Sequence, residues 1–235
     1  MRGATTSTVT LLERAIYDVK EAARLLPVPA STLEYWLEGG RQGGKIRPPV
    51  LRETASGAKD LTWGEFVEAR YVRAYRRDHG VPLHALRGFI LEMRRQLGVP
   101  YPLAHFHPWV GEGQRLLLAA QTAADLPAEL WSVFEPTHGA VLLTAPAESF
   151  LSVVAFDGDI ARRIEPQGRL SPVVLDPEVR FGASSVKGVS TSALSDLVAA
   201  GDAVELVAED YDLDVADVVA ALEYERQLVA AAEAA

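Results

Sequence analysis

Three stretches of this 235-residue chain carry residue types that could do chemistry, and each lacks a component. Gly39, Gly44 and Lys45 in GGRQGGKI have the spacing of a phosphate-binding loop. Ile46 stands where a hydroxyl must hold magnesium, and a helical pattern precedes where such loops follow a strand. Asp210, Asp212 and Asp214 in DYDLD imitate the start of a calcium loop, but its sixth position is Val215 and its twelfth is Ala221. His105 and His107 in HFH would share one face of a strand, which makes two metal ligands without a third. Packing against Trp109 is the expected use of both rings. Ser, His and Asp residues occur, but no nucleophile elbow brings them together. The absence of cysteine removes thiolate metal sites and disulfides. We therefore expect no enzyme, no cofactor and no metal.

The residues of PVPASTLEYWLEGG (27–40) suit a different chemistry. Leu33, Trp36 and Leu37 have the spacing of a buried helix face, which leaves Ser31, Thr32, Glu34 and Tyr35 outward. Short polar side chains at the start of such a helix can reach phosphates and base edges. Upstream, Val19, Ala22, Ala23 and Leu26 form one helical face, with Asp18 and Glu21 placed as a capping box. The small Ala22 and Ala23 permit the steep crossing of a helix-turn-helix. Downstream, Arg41, Lys45, Arg47, Arg52 and Lys59 lie in a Gly-rich loop with a short extended patch at Val50–Leu51. Arg70, Arg73 and Arg77 form a stripe on the next amphipathic helix. Cations so placed would release counterions from DNA and bind in a salt-dependent way.

Charge divides the chain in the same sense. Residues 1–100 hold 16 Lys and Arg against 11 Asp and Glu, whereas residues 101–235 hold 7 against 21. A net of +5 followed by −14 points to different partners for the two halves. In the last third Asp196, Asp202, Glu205, Glu209, Asp210, Asp212, Asp214 and Asp217 occur with no base before Arg226. Asp202 and Asp214 are placed to cap helices. Asp196, Glu205, Glu209, Asp210 and Asp217 are the candidates to meet a basic protein.

The elements that must position these residues give an α+β chain. We expect a flexible N-terminus (1–16) and a winged helix-turn-helix (17–100). A small β-rich segment (101–170) follows, with strands at QRLLLAAQ, AVLLTA, SFLSVVAFDGDIARRIEPQG and SPVVLDPEVRFG. Its Asp-Gly suits a hairpin turn, and the segment could dimerise. A three-helix domain (171–228) and a tail (229–235) complete the chain. No apolar run approaches a membrane span and no leader pattern is seen, so a cytoplasmic protein is expected.

Two resemblances sharpen these expectations. YDVKEAARLLPVPASTLEYWLEGG, a basic loop, then LTWGEFVEARYVRAYRRDHGVPLHALRGFI resembles the winged helix-turn-helix of MerR-like regulators over residues 17 to 95. That family has glycine at the helix-helix turn, where φ is positive. Here Pro27 occupies the turn, and its ring resists positive φ, so a differently built turn is expected. Glu34 stands where the family often has Arg. At the other end, PVVLDPEVRFGASSVKGVSTSALSDLVAAGDAVELVAEDYDLDVADVVAALEYE is similar to the domain-of-unknown-function family 433. The match runs through Asp176, Pro177, Phe181, Gly182, Val186, Gly188, Thr191, Leu194, Gly201, Val207, Tyr211, Val218, Ala221 and Tyr224. The resemblances together imply a VapB-like antitoxin of a type II toxin–antitoxin system. Such a protein would bind double-stranded operator DNA as a homodimer and neutralise a PIN-like ribonuclease toxin. The competing expectation is a MerR-like regulator without a toxin, sensing a small molecule.

Overall fold

The structure is a computed structural model that describes residues 11–78, 80–126, 131–137 and 140–233. Its elements run β1 (Ala15–Asp18), α1 (Val19–Leu25), α2 (Ala30–Glu38), β2 (Gly40–Gln42), β3 (Lys45–Arg47), β4 (Asp60–Thr62), α3 (Trp63–Arg73) and α4 (Leu83–Leu97). Then follow α5 (Glu112–Ala123), β5 (Val133–Thr137), β6 (Ala140–Leu143), α6 (Ala145–Ser152), β7 (Val154–Asp157) and β8 (Ile160–Ile164). The chain closes with β9 (Val173–Val174), β10 (Ser185–Val186), β11 (Val189–Ser190), α7 (Thr191–Ala200), α8 (Val204–Asp210) and α9 (Val215–Glu233). The fold is mixed α+β, as the sequence indicates. Among the described residues no helix is long and apolar enough to cross a membrane.

The chain divides into two compact units, Met1–Leu151 with Phe156–Ala161, and Ser152–Ala155 with Arg162–Ala235. In the first unit β1 pairs antiparallel with β4, Ala15 opposite Thr62 and Asp18 opposite Asp60. Asp18 caps α1 through the N–H groups of Lys20 and Glu21 at 2.7 and 2.8 Å. Thr62 and Glu65 form a reciprocal capping box on α3. Helix α3 is buried nearly all round and anchors two aromatic groups. Tyr17, Trp63 and Phe66 form one, while Tyr71, Tyr75, Phe89, Trp109 and Phe150 form the other. Trp63 Nε1 donates to the Ala161 carbonyl at 2.7 Å. Buried Glu68 pairs with Arg94 at 2.8 Å, and burial pushes its pKa up to about 7 against the pull of that guanidinium.

Several sequence expectations need correction. Of residues 1–16, expected to be flexible, 1–10 lie outside the described residues, Leu12 is buried and Ala15–Asp18 form β1. QRLLLAAQ belongs to helix α5, not to a strand. Its Leu, Ala and Gln residues favour helix, and Leu117, Ala120 and Gln121 turn inward at helical spacing. Phe150 likewise sits in α6, and the strands begin at Val154. The Asp-Gly hairpin between β7 and β8 is present, with Gly158 at φ 60°. In SPVVLDPEVRFG only Val173–Val174 is strand. The expected tail continues α9 to Glu233, and residues 234–235 lie outside the described residues.

The second unit holds the antiparallel sheet β9–β10–β11 and helices α7 to α9. Ser190 caps α7 and Gly201 ends it in the left-handed conformation. Thr191, Ser184 and Glu225 share a buried hydrogen-bond network, with Thr191 Oγ1 donating to Glu225 at 2.5 Å.

Candidate functional site

The helix-helix turn comes first, because it sets how α2 is offered. Helix α1 ends at Leu26, and the Val28 N–H bonds the Ala23 carbonyl at 3.0 Å. That is the outer bond of a Schellman motif, with Pro27 at the position usually left to glycine. Pro27 has a φ of 22°, so the differently built turn expected from its ring is not found. The turn keeps the left-handed step, and Pro27 supplies no N–H for the motif's inner bond. Arg77 donates to the Pro27 carbonyl at 3.0 Å and holds the turn against α3's continuation.

Helix α2 then starts at Ala30, with Pro29 as an N-cap that has no side-chain bond. Leu33, Trp36 and Leu37 are buried, Ser31 and Glu34 are exposed, and Thr32 and Tyr35 are half-exposed. Gly39 follows with φ 69°, and an added Cβ there would lie 2.3 Å from the Arg47 carbonyl oxygen. This close approach lets the chain leave α2 directly into the β2–β3 hairpin. Gly43 and Gly44 close that hairpin with φ of 58° and 76°, the signs of a tight two-residue turn. Arg41 faces Ile46 across it, and Gly40 faces Arg47. Arg41, Lys45 and Arg47 are all exposed. The expected wing thus corresponds to the β2–β3 hairpin at 40–47, while Val50 and Leu51, expected to be extended, are buried and give both N–H groups to the Trp36 carbonyl.

A cleft of about 520 Å³ gathers Ser31, Thr32, Tyr35 and Trp36 from α2, Arg47 from the wing, Arg76, and Pro82, Leu83, His84 and Arg87 from the start of α4. Pro82 is the N-cap of α4 and makes no side-chain bond, so the positive end of that helix opens here. Trp36 Nε1 is buried and has no hydrogen-bond partner among the described residues. Arg87 donates through Nε to the Pro49 carbonyl at 2.6 Å and through a second nitrogen to Pro48, which fastens the wing's return arm to α4. Burial, with Arg47 nearby, holds its pKa below the usual guanidinium value. Arg76, His84 and Arg87 were not expected from the sequence. The signal was present in HGVPLHALRG, where Pro82 opens a helix with His84 and Arg87 three residues apart.

Other candidate cations are placed elsewhere. Arg52 bonds Glu38 and, at 2.7 Å, Glu65, as well as Ser56 Oγ and the carbonyls of Ala58 and Asp60. With its side chain 9% exposed, it is a structural clamp and not a phosphate contact. Although burial pushes Glu38 up, the Gly57 N–H and the Arg52 guanidinium bring its carboxyl below the usual value. Arg70 and Arg73 are half-buried and engaged, because α3 has almost no outer face. Arg77 is exposed, and Lys59 is exposed beside β4 without lining the cleft.

In the second unit Asp196, Glu205, Glu209 and Asp210 are exposed. Asp217 is not available to a partner: it is 7% exposed, pairs with Lys187 at 2.7 Å and accepts the Asp214 N–H at 3.1 Å. Nor does Asp202 cap α8, whose N-cap is Ala203. Exposed Leu206, Tyr211, Val215 and Val219 lie among the acids. His105 is half-buried and His107 is exposed. Asp159 takes both, accepting from the His107 N–H at 2.7 Å and meeting His105 Nδ1 at 3.0 Å.

Comparison with known proteins places this geometry. Residues 173–224, from β9 into α9, match the family described as "Protein of unknown function (DUF433)". The chain is 28% identical over 229 residues to "Putative antitoxin VapB45" of Mycobacterium tuberculosis, covering 88% of this chain and 94% of that protein. A crystal structure of Rv2018 from Mycobacterium tuberculosis shares the fold, with a TM-score of 0.69 and 23% identity over 90% of this chain and 99% of that one. "Uncharacterized protein Rv2308" of the same organism is 31% identical over 226 residues, 94% of each chain. A match of that identity along nearly the whole of both chains shows that this chain belongs to the family of Rv2308, and its C-terminal part carries the DUF433 sequence.

Proposed function

We propose that this protein is a cytoplasmic antitoxin that binds operator DNA with its first unit and a toxin with its second. The observation that carries the DNA reading is the cleft. Ser31, Thr32 and Tyr35 at the start of α2 share it with Arg47, Arg76, His84, Arg87 and the uncapped end of α4. Hydroxyls, cations and a helix N-terminus converging on one concave surface suit phosphate and groove edges. The order of helix, turn, helix and two-stranded hairpin supports the MerR-like reading. A homodimer would present two such surfaces to a palindromic site.

The toxin reading rests on the antitoxin name of the VapB45 relative and on the charge of the second unit. Between Gly188 and Glu225 the chain has ten acids, eight of them exposed, and no Lys or Arg, a surface that DNA repels. A PIN-like ribonuclease, which must hold RNA, would offer the complementary basic surface.

Fluorescence anisotropy with DNA from upstream of the gene, repeated across a salt series, tests the first half. We expect linear weakening in log–log form, and loss of affinity in Thr32→Ala/Tyr35→Ala. Unchanged affinity in that double variant would reject α2 as the reading helix. Co-purification with the product of the neighbouring gene tests the second half. DNA binding with no such partner would favour the regulator without a toxin.

A further inference from the structure

From the groove between α7 and α9 we infer that this face is a self-association surface, on which α9 of one copy crosses α9 of a second. The inference rests on the dimer reading above and not on DNA or toxin binding. The groove encloses about 380 Å³ and is lined by Ser192, Ser195 and Asp196 on one side and by Arg226, Val229 and Glu233 on the other. Its walls are small on the α7 side, so a second helix can approach closely.

Helix α9 buries Val218, Ala221 and Leu228 against its own unit. Arg226, Val229, Ala230 and Glu233 are spaced i, i+3, i+4 and i+7, which places them on one different face. Val229 is 61% exposed there. Arg226 is the single basic residue between Gly188 and Ala235. Among the described residues its guanidinium is held only by a 3.4 Å contact with the Leu222 carbonyl. Arg226, exposed beside Val229 and two turns from Glu233 on that same face, has its complement in a second copy.

A twofold axis between Val229 and Ala230, with the helices antiparallel, sets each Arg226 opposite Glu233 of the partner subunit. The same axis sets Val229 against Ala230 of the partner subunit, where a small side chain lets the backbones close. The contact is isologous, so it closes at two copies and does not extend into a filament. Charge also selects this register: sliding by one turn would bring Arg226 away from the acid and leave Val229 exposed.

Sedimentation velocity of the full chain over a concentration series tests this. The chain should self-associate, and Arg226→Glu or Glu233→Arg should each weaken association by about tenfold or more. The double charge swap Arg226→Glu/Glu233→Arg should restore association to within about threefold of the original, since the pair is re-formed with its signs exchanged. Circular dichroism melts of all variants should match at concentrations where the parent is monomeric, because both side chains are exposed. A parent chain that stays monomeric overturns the dimer reading and this contact with it. A dimeric parent whose single variants stay dimeric, or whose double swap fails to recover, overturns this contact alone and assigns the face to another occupant.

Discussion

At the scale of single residues, two side chains make measurable demands on the fold. Pro27 is held at φ 22°, where its ring resists the backbone, inside the turn that aims α2. Backbone strain of this kind costs on the order of 1–3 kcal/mol. Pro27→Gly would relieve it and restore the missing N–H, at the expense of a more flexible unfolded chain. We expect a net gain of about 1 kcal/mol, read as a higher melting temperature. A lower one would mean that the proline is unstrained. Glu68 makes the opposite kind of demand. Its folded pKa is raised to about 7, so between its ordinary value and 7 the folded state holds a proton that the unfolded state releases. Its contribution to stability therefore falls as pH rises through that window. Glu68→Gln cannot titrate, so its melting temperature relative to the parent should improve between about pH 5 and pH 8. A difference that is constant with pH would show that Arg94 keeps Glu68 ionised throughout.

At the scale of elements, two arginines five residues apart do different work. Arg47 stands at the open end of the wing, and Arg52 ties Glu38 at the end of α2 to Glu65 in α3. Arg47→Ala should lower the salt slope of DNA binding by about one and leave the melt unchanged. Arg52→Ala should cost about 3 kcal/mol of stability, because it leaves two carboxylates without their cation. Its salt slope should match the parent at temperatures where the variant is folded. Equal effects of both changes on the slope would return Arg52 to the DNA surface. Sequence alone could not separate the two. Both lie in the same Gly-rich basic loop, and only the pairing of distant carboxylates with Arg52 distinguishes them. Local signals fared better. Asp18 capping α1, the inward Leu33, Trp36 and Leu37, and the Asp-Gly hairpin are all written in neighbouring residues. The T-x-x-E box of Thr62 and Glu65 is equally legible in neighbouring residues. The cleft was visible only from its α2 side. His84 and Arg87 enter it because α4 returns beside the wing, a fact of tertiary packing. QRLLLAAQ is ambiguous in sequence because a short apolar run has no decisive period, and helix propensity decides it.

At the scale of the whole molecule, the division of charge matches the division of structure only in part. The basic half of the sequence falls within the first unit and the acids of α7 to α9 within the second. The boundary, however, runs through the β7–β8 hairpin, whose tip Phe156–Ala161 counts with the first unit. That tip supplies the carbonyl for Trp63 Nε1, and its Asp159 receives His105 and the His107 N–H. A chain ended after Leu151 should therefore melt lower than one ended after Ala161. The buried indole N–H left without an acceptor would account for about 1–3 kcal/mol. Equal melting would show that the tip adds nothing to the first unit. The arrangement also orders the protein's synthesis. The segment that reads DNA in our proposal lies ahead of the hairpin tip in the chain, so its core is completed only once that tip has been made. A product terminated before Phe156 would therefore carry a first unit of lower stability.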